Sequence, residues 1–213
     1  MIVGANCKMS GELRISPDEM NNATNDGKLI EQARNDTGAF TELYRRHYDA
    51  IFRYCVHRLF DRHLAEDVTS TVFLGVVKNL HKFISGEFIG DEKHFRNWLY
   101  TIATAAVNEH LRRKIRRERL LRWFGGQNNS NTSNETAAND VSDRQLAVLK
   151  EAMLSLQPKY QTIITLRFFE NLKFEQIAEV LGASPGTVRS QLARGLAKLR
   201  EKTNRIGRSR QEV

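Results

Sequence analysis

The sequence predicts an all-α protein with two helical domains joined by a flexible linker, the second of them a helix-turn-helix domain. Apolar residues recur at helical spacing through most of the 213 residues, and no stretch alternates as a strand would. The segment 123–143 breaks this periodicity with five Asn, three Ser, two Thr and no Lys or Arg, a composition typical of flexible linkers. The two periodic parts on either side are therefore expected to be separate domains.

The first domain is expected to span 27–122, after a polar tail of residues 1–26 that is predicted to be disordered. Asp36 and Thr37 offer an N-cap for the first long helix. Three long helices are predicted from apolar residues at helical spacing. These residues are Phe40, Leu43, Tyr44, Ile51, Tyr54 and Cys55, then Ala65, Val68, Val72, Val76, Leu80 and Phe83, and finally Phe95, Trp98, Leu99, Ile102 and Ala106.

The second domain is expected to span 144–203, before a basic tail of residues 204–213. Pro158 interrupts the helical pattern, because proline begins or ends helices. Farther along, Gly182-Ala-Ser184 is typical of a turn: glycine ends one helix, Ser184 caps the next, and Pro185 suits its first turn. Two helices joined by such a three-residue turn form the helix-turn-helix plan.

The last helix of this motif predicts a DNA-binding face. Its side opposite the apolar residues Val188 and Leu192 is polar and basic. Arg pairs bidentately with guanine and Gln with adenine, while Ser and Thr reach phosphates or bases. The candidate DNA-binding residues are Thr187, Arg189, Ser190, Gln191, Arg194 and Lys198. The alternative is an ordinary amphipathic helix with a solvated basic face, and the turn together with the net charge of +8 favours DNA binding.

Charge and composition narrow the function further. The 33 Lys and Arg against 25 Asp and Glu favour a polyanionic partner, either nucleic acid or an anionic membrane. No apolar stretch approaches the roughly 20 residues of a membrane span. Two cysteines are too few for a disulfide scaffold, which predicts a reduced, cytoplasmic protein. The sequence offers no catalytic constellation or cofactor motif, and His57 and His63 fit no metal-ligand spacing, so neither enzymatic activity nor a cofactor or metal is expected.

A second basic feature extends the helix that starts near Phe95. The run Arg112–Arg119 places six positive charges in eight residues. Its candidate contacts with DNA phosphates are Arg112, Arg113 and Arg116. A solvated helix end is the alternative, since charge runs are often that. The DNA-binding features of the other domain favour the phosphate-contacting interpretation.

These motifs resemble bacterial sigma factors of the small, two-domain extracytoplasmic-function (ECF) class. In the first domain, Ala65-Glu-Asp-Val-Thr69 is similar to the polymerase-binding motif of sigma region two, and Phe95-Arg-Asn-Trp-Leu-Tyr-Thr-Ile102 to its promoter-melting segment. In the second domain, Leu156-Gln-Pro-Lys-Tyr160 and Gly186-Thr-Val-Arg-Ser190 resemble sigma region four. The sequence departs from the common pattern at several positions. These are Thr104-Ala105, Glu109, Ser70-Thr71, Val77, Gln191 and Gly195.

The resemblance implies partners and site residues. The first domain would bind core RNA polymerase through Glu66, Asp67, Thr69 and Ser70. The second domain would read the minus-thirty-five promoter element, with Arg167 joining the residues of the last helix. Minus-ten contacts would involve Phe88, in a loop that captures a flipped base, and Trp98. The spacing of Trp98 with Phe95 and Leu99 favours core packing over stacking on an unpaired base. The resemblance also implies an anti-sigma factor as a further partner.

Two functions of different classes remain open from the sequence. The first is a transcription initiation factor that works only on core RNA polymerase. The second is a stand-alone helix-turn-helix regulator whose first domain senses a ligand or dimerises. The polymerase-like motif at Ala65 and the basic run Arg112–Arg119 favour the first function.

Overall fold

The computed structural model describes residues 26–85, 92–123 and 141–209, and every regular element in these ranges is an α-helix. The predicted all-α fold is confirmed. The predicted disordered tail 1–26, except Asp26, and most of the predicted linker lie outside the described residues. The helices are α1 (Asp26–Gln32), α2 (Thr37–Leu59), α3 (Arg62–Ser85), α4 (Glu92–Trp123), α5 (Val141–Leu154), α6 (Pro158–Phe168), α7 (Phe174–Leu181) and α8 (Pro185–Ser209).

Local sequence signals set several helix ends. Asp36 caps α2, and its carboxylate accepts a hydrogen bond of 2.7 Å from the Gly38 amide. Pro158 begins α6, since a proline at the first helical position removes only a donor that has no partner there. Both boundaries agree with the sequence prediction. Helix α5 begins at Val141, three residues before the expected start of the second domain.

Helices α1–α4 form the first domain, and α5–α8 form the second. In the first domain α3 packs against both α2 and α4, and its core includes Leu43, Tyr54 and Val72. In the second domain α8 packs against α5, α6 and α7, and Ile163 and Ile177 are fully buried. Most residues of the apolar stripes that the sequence predicts thus face these two cores, whereas Tyr44 of the first stripe is exposed.

The two domains also pack against each other. Helix α4 contacts α7, and α2 contacts α6, so the buried apolar residues of both domains form one continuous cluster. The sequence predicts two separate domains on a flexible linker and gives no reason to expect that they pack against each other. None of the helices in the described ranges is both long and apolar enough to cross a lipid bilayer.

Candidate nucleic-acid interface

The turn between α7 and α8 has the geometry of a helix-turn-helix motif. Gly182 ends α7 in the left-handed conformation, with φ of 59°, which a residue with a Cβ adopts only with strain. Ser184 then caps α8, since its hydroxyl oxygen accepts a hydrogen bond of 3.1 Å from the Thr187 amide. Gly182 and Ser184 therefore do what the sequence predicts, and Pro185 is the first residue of α8, as expected.

The polar side of α8 is open to solvent. Val188 and Leu192 are buried against the domain core, which turns the opposite side outward. Exposed on that side are Thr187, Arg189, Ser190, Arg194 and Lys198, whereas Gln191 is half-buried. The exposed guanidinium, ammonium and hydroxyl groups are donors that match DNA phosphates and base edges.

Two arginines of the second domain share one aromatic ring. The guanidinium carbons of Arg167 and Arg189 lie 5.1 Å and 5.2 Å from the ring centroid of Phe174. Arg167 also donates a hydrogen bond of 3.0 Å to the Leu172 carbonyl, and Arg189 lies 3.4 Å from the Glu175 carboxylate. These contacts favour one placement of each side chain before any ligand binds. The sequence analysis does not include Phe174 in the DNA-binding face. A signal was available, because Phe174 is an apolar residue at the start of the helix that precedes the turn.

The basic run at the end of α4 is exposed but is not free of acidic neighbours. Glu109 lies 2.9 Å from Arg113, 3.2 Å from Arg116 and 3.3 Å from Arg112. The hydrogen bond from Arg113, with the charges of the other two arginines, holds the pKa of the Glu109 carboxyl below its ordinary value. Because Glu109 partly neutralises three arginines, the positive potential of this surface is weaker than the sequence indicates.

Of the two aromatic candidates for minus-ten contacts, the structure describes Trp98. Trp98 is half-buried, and its ring stacks on Phe83 with centroids 4.7 Å apart and lies 5.7 Å from Phe95. These contacts are those of a residue that packs at the edge of an aromatic core. Phe88 lies outside the described residues.

The acidic motif on α3 presents three of its four candidate residues to solvent. Asp67 and Ser70 are exposed, and Glu66 is half-buried between Arg62 and His63. Thr69, by contrast, is fully buried. Its inclusion in a polymerase-binding surface is therefore corrected, because a side chain without solvent exposure cannot contact a partner docked on this face.

Two apolar side chains extend the exposed acidic face of α3. Leu74 is 61% exposed and Val77 is 55% exposed. They follow Asp67 and Ser70 at helical spacing, so all four lie along one side of the helix. Exposed aliphatic side chains beside polar ones are typical of a protein–protein contact. The sequence interpretation overlooked this pair, since apolar residues in the run from Val72 to Val77 fit equally well in a core.

A groove of about 440 Å³ lies between the two candidate DNA-binding surfaces. Thr104, Leu111 and Arg112 of α4 form one wall, and Lys159 and Gln191 of the second domain form part of the other. Thr104 and Gln191 are both positions where the sequence departs from the common sigma pattern. The structure places these two departures on the same groove.

Family models match both halves of the chain. The model for Sigma-70 region 2 matches residues 43–117, and the model for Sigma-70, region 4 matches residues 146–199. Together the two matches span more than half of the sequence, in the order that sigma factors have. The chain belongs to the sigma-70 family. The family predicted from the motifs is thereby confirmed.

Curated relatives place this sigma-70 family chain beside ECF sigma factors. The chain is 30% identical to the ECF RNA polymerase sigma factor BldN of Streptomyces coelicolor, over 81% of its own length and 64% of that protein. It is 31% identical to SigE of Mycolicibacterium smegmatis, over 82% of its length and 66% of that protein. SigW of Bacillus subtilis is 27% identical, with 82% and 94% covered. The chain thus spans slightly less than two thirds of the first two relatives.

Solved structures share the fold of this sigma-70 family chain. CnrH, in complex with the cytosolic domain of CnrY, matches with a TM-score of 0.58 at 20% identity, over 83% of this chain and 95% of CnrH. The sigma factor RpoE, in complex with the anti-sigma factor NepR from Bartonella quintana, matches with a TM-score of 0.56 at 20% identity, over 78% and 96%. At these identities the matches establish the common helical architecture.

Proposed function

We propose that this chain is a transcription initiation factor that binds core RNA polymerase, directs it to promoters and opens the DNA there. The observation that carries the proposal is the match to sigma regions two and four in one chain, in that order. The factor recognises the minus-ten and minus-thirty-five promoter elements and catalyses no reaction of its own. A stand-alone regulator has no need of a polymerase-binding region two, so the second function left open by the sequence is set aside.

The exposed side of α8 reads the minus-thirty-five element. Its donors converge on one face, with Arg194 and Ser190 accessible and Arg189 held in place by Phe174. Arg167, which contacts the same ring, joins this surface at the minus-thirty-five element. Thr187, Gln191 and Lys198 complete this DNA-binding face. A helix that enters the major groove with such side chains is the ordinary docking mode of the helix-turn-helix motif.

The first domain contacts the minus-ten region. The exposed arginines at the end of α4, which are Arg112, Arg113 and Arg116, bind phosphates there. Phe88 captures a flipped base, and Trp98 supports the minus-ten surface of α4. Because Trp98 packs on Phe83, its role is to hold the shape of this surface rather than to insert between bases.

The exposed face of α3 docks on the polymerase. Glu66, Asp67 and Ser70 supply acceptors and Leu74 and Val77 supply apolar area on the same side of the helix. The sigma resemblance assigns the clamp helices of the largest polymerase subunit as the partner surface. Because the factor acts on RNA polymerase, the cytoplasm is its proposed location.

An anti-sigma factor is a further proposed partner. The related sigma factor RpoE is found in complex with the anti-sigma factor NepR, and CnrH with the cytosolic domain of CnrY. An inhibitor of this kind would bind surfaces that the polymerase also needs.

The docking face is tested by the Asp67→Ala variant. Asp67 is exposed, so its loss should leave the fold intact while it weakens retention on core polymerase several-fold. Co-purification with core polymerase measures retention, and run-off transcription on genomic fragments measures function. Glu31→Ala is the matched control, since Glu31 is an exposed acid on α1. Retention of Asp67→Ala at the level of the control would remove Asp67 from the interface.

A further inference from the structure

We propose that the groove between the two domains is a binding site for a small aliphatic carboxylate, of the chemical class of a medium-chain fatty acid. The groove has a volume of about 440 Å³, which is within the range of small-molecule sites, and it lies at a domain interface, where such sites are common. Both domains supply its walls, so neither carries the site alone. Binding of such a ligand does not depend on the proposed function.

The charge of the groove lining favours an anion. Among the described residues that line the groove, the charged ones are Arg112 of α4 and Lys159 of α6, and both are positive. One nitrogen of the Arg112 guanidinium lies 3.3 Å from Glu109 on its own helix, which leaves its other donors for a ligand. A guanidinium pairs bidentately with a carboxylate. Two cations, one of them shared with Glu109, suit a monoanion better than a phosphate dianion.

A buried arginine adds positive charge beside this groove. Arg58 of α2 is fully buried, and it donates a hydrogen bond of 2.8 Å to Asn108, which lines the groove, and another to Gln161. Within the described ranges no carboxylate pairs with Arg58, and its Nε atom has no hydrogen-bond partner. A buried charge that no carboxylate neutralises is unfavourable, so an anion bound beside Asn108 would lower its energy.

The start of α6 contributes to the same positive lining. Pro158 and Lys159 are its first two residues, and both line the groove. The N-cap residue, Gln157, makes no side-chain hydrogen bond to the helix, so it does not offset the partial positive charge of the first turn. On the opposite wall, the amides of Gly182 and Ala183 donate to two of the last carbonyls of α7. The helix ends at the groove therefore favour an anion as well.

The apolar part of the lining selects the body of the ligand. It consists of Leu111, Ile115, Pro158, Leu181 and Ala183. Burial of an alkyl chain against such residues is favourable. No aromatic side chain is among the described residues of the lining, so a nucleobase would have no ring on which to stack. Aliphatic walls with a cationic lining thus favour a carboxylate on an alkyl chain over a nucleotide.

Two polar residues make this groove particular to the chain. Thr104 and Gln191 line it, and both are positions where the sequence departs from the common sigma pattern. The Thr104 hydroxyl is hydrogen-bonded to the Tyr54 hydroxyl at 2.7 Å, whereas the half-buried Gln191 amide is a further donor for a carboxylate. The ligand site is therefore expected in this chain and not throughout the family.

The site is tested with octanoate as the probe and octanamide as its neutral isostere. Adenosine monophosphate is the third probe, because it is an anion whose body is an aromatic base. Isothermal titration calorimetry on the full-length protein measures all three affinities. The site predicts one octanoate per chain, bound at least about tenfold more tightly than octanamide or adenosine monophosphate. No octanoate binding, or binding no tighter than that of either other probe, would overturn the proposal.

Two variants, one in each domain, locate the bound probe. Ile115→Glu places a carboxylate in the groove at a position that is 47% exposed, and it should weaken octanoate binding at least about tenfold by repulsion. Its control is Leu120→Glu, the same change at an exposed leucine of α4 that does not line the groove. Lys159→Met should weaken octanoate binding about two- to fivefold and leave octanamide binding unchanged. Its control is Lys150→Met, at an exposed lysine of α5.

Both control variants should bind octanoate as wild type does, and circular dichroism verifies that every variant is folded. Equal octanoate affinities of Ile115→Glu and Leu120→Glu, or of Lys159→Met and Lys150→Met, would place the probe elsewhere and overturn the proposal. None of these measurements involves DNA or the polymerase. Failure of the wild-type protein to support run-off transcription would count against the proposed function alone.

Discussion

At the scale of single residues, Arg194 is the sharpest test of DNA reading. It is exposed on the outer face of α8, away from the groove between the domains. If it pairs with a base, Arg194→Ala should weaken binding to the minus-thirty-five element by about 1–3 kcal/mol. Arg205→Ala, an exposed arginine near the far end of the same helix, is the control. Equal affinities of the two variants for the element, measured by anisotropy, would exclude Arg194 from base reading.

The types of residue predict part of the DNA-binding and polymerase-binding surfaces, and the burial of each side chain determines which of the other candidates belong to them. The exposed donors of α8 follow from helical spacing around Val188 and Leu192. Thr69 shows the limit of motif matching, since it falls within the matched motif yet also in the stripe that contains Ala65, Val72 and Phe73, all buried. A helical wheel drawn for α3 would have found it in the core. The ion pairs of Glu109 depend on rotamers, which no spacing rule fixes.

At the scale of helices, Gly195 allows α8 to approach α6. A Cβ on Gly195 would lie 3.2 Å from the Cβ of Tyr160, closer than such atoms normally pack, and 3.4 Å from the Cδ1 of Ile164. The position is a departure from the alanine that is usual in the family. Its smallness thus has a packing reason that the sequence alone does not reveal.

This close approach gives a stability prediction. Gly195→Val adds branched atoms where α6 and α8 meet, and it should lower the free energy of unfolding by about 1–3 kcal/mol. Gly207→Ala is the comparison, because nothing lies within 4 Å of the added Cβ and alanine favours the helix by up to about 1 kcal/mol. Urea denaturation followed by circular dichroism measures both. A Gly195→Val protein as stable as wild type would mean that the two helices shift apart at little cost.

Helix ends were predictable wherever one residue type determines the end. Asp36, Pro158 and Gly182 each act through a local rule, and each boundary is found where the rule puts it. The second half of α4 is charged and none of its residues from Asn108 to Leu121 is buried, yet the helix continues through the basic run as the sequence predicts. Helix propensity and the ion pairs of Glu109 stabilise that half instead of an apolar stripe.

At the scale of the whole molecule, the packing of one domain on the other had no sequence signal. Gln161, Glu170 and Glu179 are ordinary polar residues of helices and turns when the sequence is read alone. Gln161 pairs with Arg58, Glu170 with His57 and Tyr100, and Glu179 with Asn97, and these partners lie 70 to 113 residues away. Such long-range polar pairs follow no periodicity, so the sequence indicates two domains but not how they meet.

The predicted linker, residues 123–143, gives a testable prediction at the scale of the whole molecule. Its composition indicates no packed structure, and the 17 residues between α4 and α5 reach at most about 60 Å when fully extended. A scrambled order of residues 126–140 should leave run-off transcription intact. Deletion of these fifteen residues should abolish transcription, because the domains could no longer reach both promoter elements. If scrambling were as harmful as deletion, the linker would have a sequence-specific role.

The carboxylate of Glu109 among three arginines also affects how DNA binding responds to ionic strength. Each phosphate that a cation neutralises releases condensed counterions, so the logarithm of affinity falls with the logarithm of salt by a slope of about 0.9 per phosphate. A phosphate that binds one of these arginines competes with Glu109 for its donors. Rising salt weakens the arginine–phosphate contact that forms, which lowers the affinity. It also weakens the ion pair with Glu109 that is lost, which raises the affinity, so the two effects oppose each other. DNA binding through α4 should therefore decline less steeply with salt than its number of arginines suggests.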